Sequence, residues 1–389
     1  MMKRQSIISI FIILFAIQSL AWEKVSTQLD LDNNADPNKA LVYYLWKSFV
    51  EAHNDSTTDF PQWNDADKLR WKQPDLISSE GYINADIYRY LNKVLEITPQ
   101  GDAYVIRSMF YTPYTDYSDV FVLALVNHIV KKDERGEFKL YNWQDYYTRD
   151  WQRKSVGYID YCYYSGYSFN EDNAQEANAL IELFRTKLKA EIPQHISYFI
   201  AKNLDDEYRL KGYDYVVGMG DQMGNTGGST DRINHIIYGD AAHGEIYHHE
   251  LARLLRLSYP DMHFLLNQGI SEYVNSTQMQ FGLPVRQHFA RMKDWLNAHP
   301  QEDISNLDSP FYSMDNQTAP AYQVGMVICH ELFMHGGFET LVRAMKAGED
   351  DAVFYTFLKK EIGIGQQNFN KWMRNKIAKY STEYIPPLK

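Results

Sequence analysis

Two short segments contain residues whose types and spacing suit chemistry. They are residues 248–253, with the sequence HHELAR, and residues 266–273, with the sequence LNQGISEY. Two histidines one helical turn apart bind zinc from one helix face, and the glutamate after the first acts as general base on zinc-bound water. His249 and Glu250 provide half of this pattern, but Arg253 stands where the second histidine is required. The pattern therefore leaves open whether a metal site exists.

Together the two segments resemble the HExxH and LNEGxxEY motifs of gluzincin metallopeptidases, which belong to the peptidase MA-like class. Residues 322–329 and 336–341 resemble the helix and the turn that follow these motifs in that class. The resemblance covers roughly the last half of the chain. It implies a mainly helical domain of the thermolysin and aminopeptidase type.

The resemblance assigns a role to each matching position. It implies that His249 is the first zinc ligand and that Glu250 is the general base, with Tyr322 as a second catalytic residue. It places Arg253 and Gln268 at the two other ligand positions, which a histidine and a glutamate occupy in the family. Arginine stays protonated near neutral pH, so Arg253 offers zinc no lone pair. Gln268 offers only a neutral carbonyl oxygen.

A guanidinium in the place of the metal can pair with a carboxylate instead. Either Glu250 or Glu272 would then satisfy the charge of Arg253 without zinc. We therefore predict a degenerate metallopeptidase, a pseudoenzyme with impaired hydrolase activity that keeps a cleft for a peptide or protein partner. It would hold no cofactor or bind zinc weakly.

Two alternatives remain. The first is an active zinc metallopeptidase with rearranged ligands Glu245, His249 and Glu272, because the apolar spacing predicts a helix over residues 244–257 and another from residue 264 onward. These helices are expected to bring His249, Glu250 and Glu272 into one pocket. The second is a non-enzymatic surface interaction protein, in which no extended peptide occupies a cleft.

Other histidines lie near these motifs without restoring the required pair. His243, His248 and His263 are expected to be solvated or hydrogen-bonded surface histidines. Residues 330–335 form an HExxxH pattern like that of one dipeptidyl-peptidase type, but a helix bulge is needed to align His330 with His335. The resemblance makes this segment the helix behind the pocket.

The first residues of the chain are typical of a secretory signal peptide. Lys3 and Arg4 precede an apolar run over residues 7–16, and residues 19–21 provide the small residues of a cleavage site. We expect cleavage after residue 21, so that an exported protein, periplasmic or extracellular and soluble, starts at Trp22. N-terminal mass spectrometry of exported material should find this start, and retention of residues 1–21 would contradict the expectation.

Charge and composition limit the partners. The formal net charge of -11 disfavours nucleic acid and anionic membrane surfaces, which attract clustered lysine and arginine. No later apolar run approaches the roughly 20 residues of a membrane-spanning helix. The two cysteines, Cys162 and Cys329, are expected to be buried free thiols. The alternative is a disulfide between them in an oxidising compartment.

The spacing of apolar residues predicts an α+β protein with two domains. After the signal peptide and a polar leader over residues 22–37, an α+β domain is expected over 38–192 and the peptidase MA-like domain over 193–389. In the first domain, apolar residues at helical spacing and β-branched residues in runs predict specific elements. These are helices over 39–53 and 174–189, strands over 104–111 and 120–130, and a turn over 132–137.

Overall fold

The computed structural model describes most of the chain. The described residues are 23–32, 35–52, 60–77, 85–114, 119–217, 219, 227–275, 277, 279–280 and 282–388. The predicted signal peptide and the expected start at Trp22 lie outside them. The described residues form two compact units, one from those up to residue 146 together with 211–217 and the other from 147–210 together with those after residue 217.

The helices and strands below are numbered in chain order. The helices are α1 (Asn38–Ala52), α2 (Asp65–Arg70), α3 (Trp143–Tyr147), α4 (Glu171–Thr186), α5 (Leu204–Leu210), α6 (His248–Arg253), α7 (Phe264–Tyr273), α8 (Val285–Ala298), α9 (Pro320–Met345), α10 (Asp351–Ile362) and α11 (Gln366–Tyr380). The strands are β1 (Val25–Thr27), β2 (Leu91–Gln100), β3 (Ala103–Pro113), β4 (Val120–Lys132), β5 (Phe138–Tyr141), β6 (Gln152–Val156), β7 (Ile159–Tyr163), β8 (Ile196–Ala201), β9 (Tyr213–Val216), β10 (Ser229–Asp231), β11 (Ile236–Asp240), β12 (Met279–Gln280) and β13 (Leu283–Pro284).

The first unit is built on a six-stranded sheet in the order β1-β2-β3-β4-β5, with β9 also paired to β4. Strand β1 runs parallel to β2, and the remaining pairs are antiparallel. Helix α1 buries Val42, Trp46 and Phe49, which recur at helical spacing and therefore lie on one face. The predicted helix over 39–53 and the predicted strands over 104–111 and 120–130 are confirmed within a few residues.

The second unit contains a five-stranded sheet in the order β10-β11-β8-β7-β6. Strands β7, β8 and β11 are parallel, and the two edge strands of this described sheet, β10 and β6, run antiparallel to their neighbours. Because β6, β7 and α4 belong to this unit, the boundary expected between residues 192 and 193 lies inside it. Side-chain periodicity does not show which sheet a strand joins, so the sequence placed the boundary too late.

Helices α6 to α11 complete the second unit and share one apolar core with its sheet. Helix α4 starts after Asn170, whose side chain accepts hydrogen bonds from the backbone N–H groups of Asp172 and Asn173. Cys162 and Cys329 are both buried and form no disulfide with each other, which confirms the expectation of two buried thiols. In the described part of the chain, no helix is long and apolar enough to cross a membrane. The fold class is α+β.

Candidate functional site

The HHELAR segment forms the short helix α6, which begins later than the sequence predicted. Gly244 has φ +62°, a left-handed conformation that interrupts a helix, and regular helix starts only at His248. Leu251 and Ala252 face the core, whereas His249 and Arg253 lie one turn apart on another face. The local fold therefore brings the first ligand position and the arginine side by side.

Arg253 is hydrogen-bonded to the imidazole that the resemblance assigns to zinc. Its Nε donates to His249 Nε2 over 3.2 Å. An imidazole nitrogen that accepts a hydrogen bond carries no proton, so His249 is neutral in this arrangement. Burial, together with the positive charge of Arg253, lowers the pKa of His249 to about 3. The lone pair that would bind a metal is directed at the guanidinium instead.

The general-base position, Glu250, is almost fully buried and has polar partners on both carboxylate oxygens. Its Oε2 lies 2.8 Å from the hydroxyl of Thr230 on β10, and its Oε1 lies 3.6 Å from Arg253 Nε. Its side chain is 2% exposed, whereas that of Arg253 is 43% exposed. The carboxylate is thus charge-paired with Arg253, one of the two pairings that the sequence suggested. The sequence did not identify Thr230 as a site residue, because the strand that carries it is only three residues long.

Tyr322 lies on α9, beside His249 of α6. Its ring centre is 5.4 Å from that of His249. Burial raises the pKa of Tyr322, the charge and a hydrogen bond of Arg253 lower it, and Glu272 and Glu250 raise it further. The pKa of Tyr322 therefore depends on Arg253 as well as on the carboxyl groups of Glu272 and Glu250. His249 and Glu250 are neighbours on α6, and the expectation that Glu272 shares one pocket with them stays a prediction.

Glu272 is 3% exposed on α7, one turn after the half-buried Gln268. Its Oε1 accepts a 3.1 Å hydrogen bond from Gln280, which in turn accepts from Gln323. Burial raises the pKa of Glu272 to about 8. This carboxyl is therefore mostly protonated at neutral pH, which explains why Glu250 supplies the countercharge of Arg253. No sequence pattern predicted that Gln280 and Gln323 would form a hydrogen-bonded chain to Glu272.

The raised pKa gives a prediction for the pH dependence of stability. Glu272 ionises near pH 4.5 when unfolded and near pH 8 when folded, so the folded state binds more protons between these values. Wild-type stability should therefore fall as pH rises through this window. Glu272→Gln keeps an acceptor for Gln280 and cannot ionise. Its free energy of unfolding, measured in urea, should exceed that of wild type by on the order of 4 kcal/mol at pH 8, and by much less at pH 5.

Glu349→Gln, which changes an exposed carboxylate, is the matched control and should leave the pH profile unchanged. A stability difference between Glu272→Gln and wild type that is equal at pH 5 and pH 8 would contradict the prediction.

The rearranged ligand set is not assembled around His249. Because helix α6 starts at His248, Glu245 does not lie one helical turn before His249, and the expectation of a helix from residue 244 is wrong. The Glu245 carboxylate accepts a 2.7 Å hydrogen bond from the backbone of Asn170. Desolvation raises the pKa of the half-buried Tyr167, and the charge of the Glu245 carboxylate raises that pKa further. Glu245 thus anchors the start of α4.

The neighbouring histidines have polar partners, but His248 and His263 are buried, so the expectation of surface histidines is wrong for these two. His243 Nδ1 lies 2.8 Å from Asp240, and His263 caps the start of α7 and lies 2.9 Å from Asp351. His248 is buried, and burial lowers its pKa. Each therefore has a structural role close to the site.

The HExxxH segment on α9 does not form a second site. His330 lies 3.2 Å from the hydroxyl of Tyr273, and Glu331 is paired with Lys376 at 2.6 Å. His335 is exposed. The non-helical residues inside α9 are Gly336 and Gly337, which follow this segment, so no bulge aligns the two histidines.

The donors at the site do not fit the zinc that the resemblance implies. Zinc requires lone pairs from neutral imidazole, thiolate or carboxylate groups in tetrahedral arrangement. His249 directs its Nε2 lone pair at Arg253, and the guanidinium has none to give. Within the described ranges, no three His, Cys, Asp or Glu residues are grouped so that they could hold a metal ion.

Two helices of the site cross at unusually short distance. A Cβ on Gly269 of α7 would lie 1.9 Å from the carbonyl carbon of Gly325 on α9. Glycine is therefore required at both positions, since any side chain would separate the helices that carry Glu272 and Tyr322. The sequence contains both glycines, but it does not indicate that their backbones are in contact.

Neither a scan against protein-family models nor a search of curated proteins returns a match to this chain.

Proposed function

We propose that this chain is an exported, metallopeptidase-like protein that binds peptides in a gluzincin-like cleft and does not depend on zinc. The observation that carries the proposal is the contact of Arg253 with both His249 and Glu250. A permanent cation occupies the position at which the resemblance expects the metal. The charge of the buried Glu250 is thereby balanced by the protein itself.

The same contacts argue against efficient hydrolysis. A general base must reach a water molecule with a free carboxylate oxygen. Glu250 has Thr230 on one oxygen and the guanidinium beside the other. His249 is neutral and accepts from Arg253. The residues that would activate and orient a water are thus engaged with one another.

The test compares binding with hydrolysis on the same purified protein. We expect pools of hexapeptides to bind, to remain intact by mass spectrometry, and to bind equally well with and without a chelator. Metal analysis should find far less than one zinc per chain. Stoichiometric zinc, with peptide cleavage that is lost in Glu250→Gln, would instead favour an active enzyme with rearranged ligands. A folded protein that binds no peptide would favour the surface interaction protein.

A further inference from the structure

A groove of about 750 Å³ lies in the second unit, and none of its lining residues belongs to the candidate site. Its size is in the range of about 300–1,000 Å³ that is usual for small-molecule sites. Tyr158 and His235, which line it, directly precede the parallel strands β7 and β11. Helix α6 of the candidate site follows the other end of β11. The groove therefore lies at the amino ends of these strands.

Tyr158 contacts two opposite charges that line the groove. The guanidinium of Arg185 lies over its ring, with Cζ 4.6 Å from the ring centre, which is a cation–π contact. The hydroxyl of Tyr158 donates a 2.8 Å hydrogen bond to Glu182 Oε2. The tyrosine therefore holds the cation over its face and the anion at its edge.

The charged side chains of the groove have open hydrogen-bonding positions. Arg185 Nη1 donates to the backbone carbonyl of Ile192. No other described residue is hydrogen-bonded to this guanidinium, which leaves most of its five N–H donors without a partner there. Of the residues that the structure describes, none donates to Glu182 Oε1 or to the carboxylate of Glu191, which also lines the groove. One cation with open donors and two anions with open acceptors thus line one groove.

Apolar side chains line the same groove. They belong to Ile192, Pro193 and Leu257. Pro193 and Leu257 are half-buried, so part of their surface still contacts solvent. Burial of apolar surface contributes about 25 cal/mol per Å². A ligand of the groove therefore binds more tightly if it carries an apolar side chain.

The backbone beside the groove adopts an uncommon conformation at two positions. In the described part of the chain, the non-glycine residues with positive φ are Lys189 and His235, each with φ 57°. His235 lines the groove, and Lys189 directly precedes Ala190, which lines it as well. Such conformations cost free energy and are concentrated at active sites and ligand sites. Their position supports a binding role for the groove.

We propose that the groove binds a small zwitterion with an apolar side chain. Arg185 binds its carboxylate through parallel N–H donors, and Glu182 and Glu191 bind its ammonium group. The two glutamates repel a ligand that carries only a negative charge, and Arg185 repels one that carries only a positive charge. A ligand with both charges is attracted by both kinds of side chain. This groove is a different site from that of the proposed function, and neither depends on the other.

The test uses isothermal titration calorimetry on the full chain with four ligands. Leucine and the dipeptide leucyl-leucine are apolar zwitterions, leucinamide lacks the carboxylate, and isocaproate lacks the ammonium group. We expect leucine or leucyl-leucine to bind at least about tenfold more tightly than leucinamide and isocaproate, which corresponds to about 1.4 kcal/mol. The zwitterion that binds more tightly shows whether the ligand is a free amino acid or a short peptide.

Variants assign the binding to the groove. Arg185→Gln, and the double variant Glu182→Gln with Glu191→Gln, should each weaken the preferred zwitterion at least about tenfold, because hydrogen bonds to a charged partner are lost. The matched controls Arg286→Gln and Glu349→Gln change exposed charges that do not line the groove and should bind as wild type does. Circular dichroism checks folding. The double variant changes only exposed side chains, so it keeps the test decisive if Arg185→Gln does not fold.

Two results overturn the inference. One is a folded wild-type chain that binds neither zwitterion more tightly than the single-charge analogues. The other is full retention of the preference in the glutamate double variant, because the zwitterion then binds elsewhere. Neither result bears on peptide binding beside Arg253, since these variants leave that side chain unchanged.

Discussion

The double variant Arg253→His with Gln268→Glu should bind zinc more tightly than wild type by orders of magnitude. It replaces a cation without a lone pair by an imidazole one turn from His249, and a neutral amide by a carboxylate on the adjacent helix α7. Two histidines and one carboxylate are the ligand set of many catalytic zinc sites. Competition with a chelating indicator measures the change in affinity. Peptidase assays with zinc then show whether hydrolysis follows.

The controls address both chemistry and stability. Removing the guanidinium leaves Glu250 buried without its countercharge, which costs about 3 kcal/mol, so the variant must be assayed with metal present. The matched control is Arg253→Gln with Gln268→Glu, which loses the same charge and gains no imidazole, and its zinc affinity should stay low. Adding Glu250→Gln to the restored site should abolish any hydrolysis. A folded double variant with wild-type zinc affinity would contradict the prediction.

The change Gly269→Ala should destabilise the second unit by about 3 kcal/mol or more. Its Cβ would lie 1.9 Å from the backbone of Gly325, and backbone cannot turn aside as a flexible side chain can. Helices α7 and α9 would have to separate, which would open the packing around Glu272. Urea unfolding measures the loss of stability.

Gly166→Ala is the matched control, because its Cβ would meet the nearest side chain at 3.5 Å, an ordinary contact. We expect its stability to stay within about 0.5 kcal/mol of wild type. Gly325→Ala should behave like Gly269→Ala, since a Cβ there would lie 2.0 Å from the carbonyl oxygen of Leu265. A loss below about 1 kcal/mol in Gly269→Ala would show that the helices can separate at little cost.

Periodicity in the sequence predicted the elements well where one face of an element is buried. Helices α1 and α4 and strands β3 and β4 lie within a few residues of their predicted ranges, because repeated apolar side chains specify the buried face directly. The start of α6 was predicted too early, at residue 244. Gly244 is left-handed and the Glu245 carboxylate accepts a hydrogen bond from the backbone of Asn170, so residues 244 and 245 lie outside the helix. Neither feature produces a periodic pattern in the sequence.

Domain membership was decided by tertiary structure. Strands β6 and β7 precede the expected boundary in sequence, yet they pair with β8 of the second unit. Strand pairing joins residues far apart in the chain through backbone hydrogen bonds, which carry no residue-specific signal. The sequence therefore predicted the α+β class but not where the first unit ends.

The residue types at the site were determined by the sequence alone. Arg253 cannot donate a lone pair, and the order of the two motifs already predicted that His249, Glu250 and Glu272 would lie near one another. Only the tertiary structure decided which carboxylate balances the arginine. Burial raises the pKa of Glu272 to about 8, whereas Glu250 lies 3.6 Å from the guanidinium. Burial and distance depend on the packing of α6, α7 and α9, and that packing follows from contacts such as Gly269 against Gly325, which no local pattern contains.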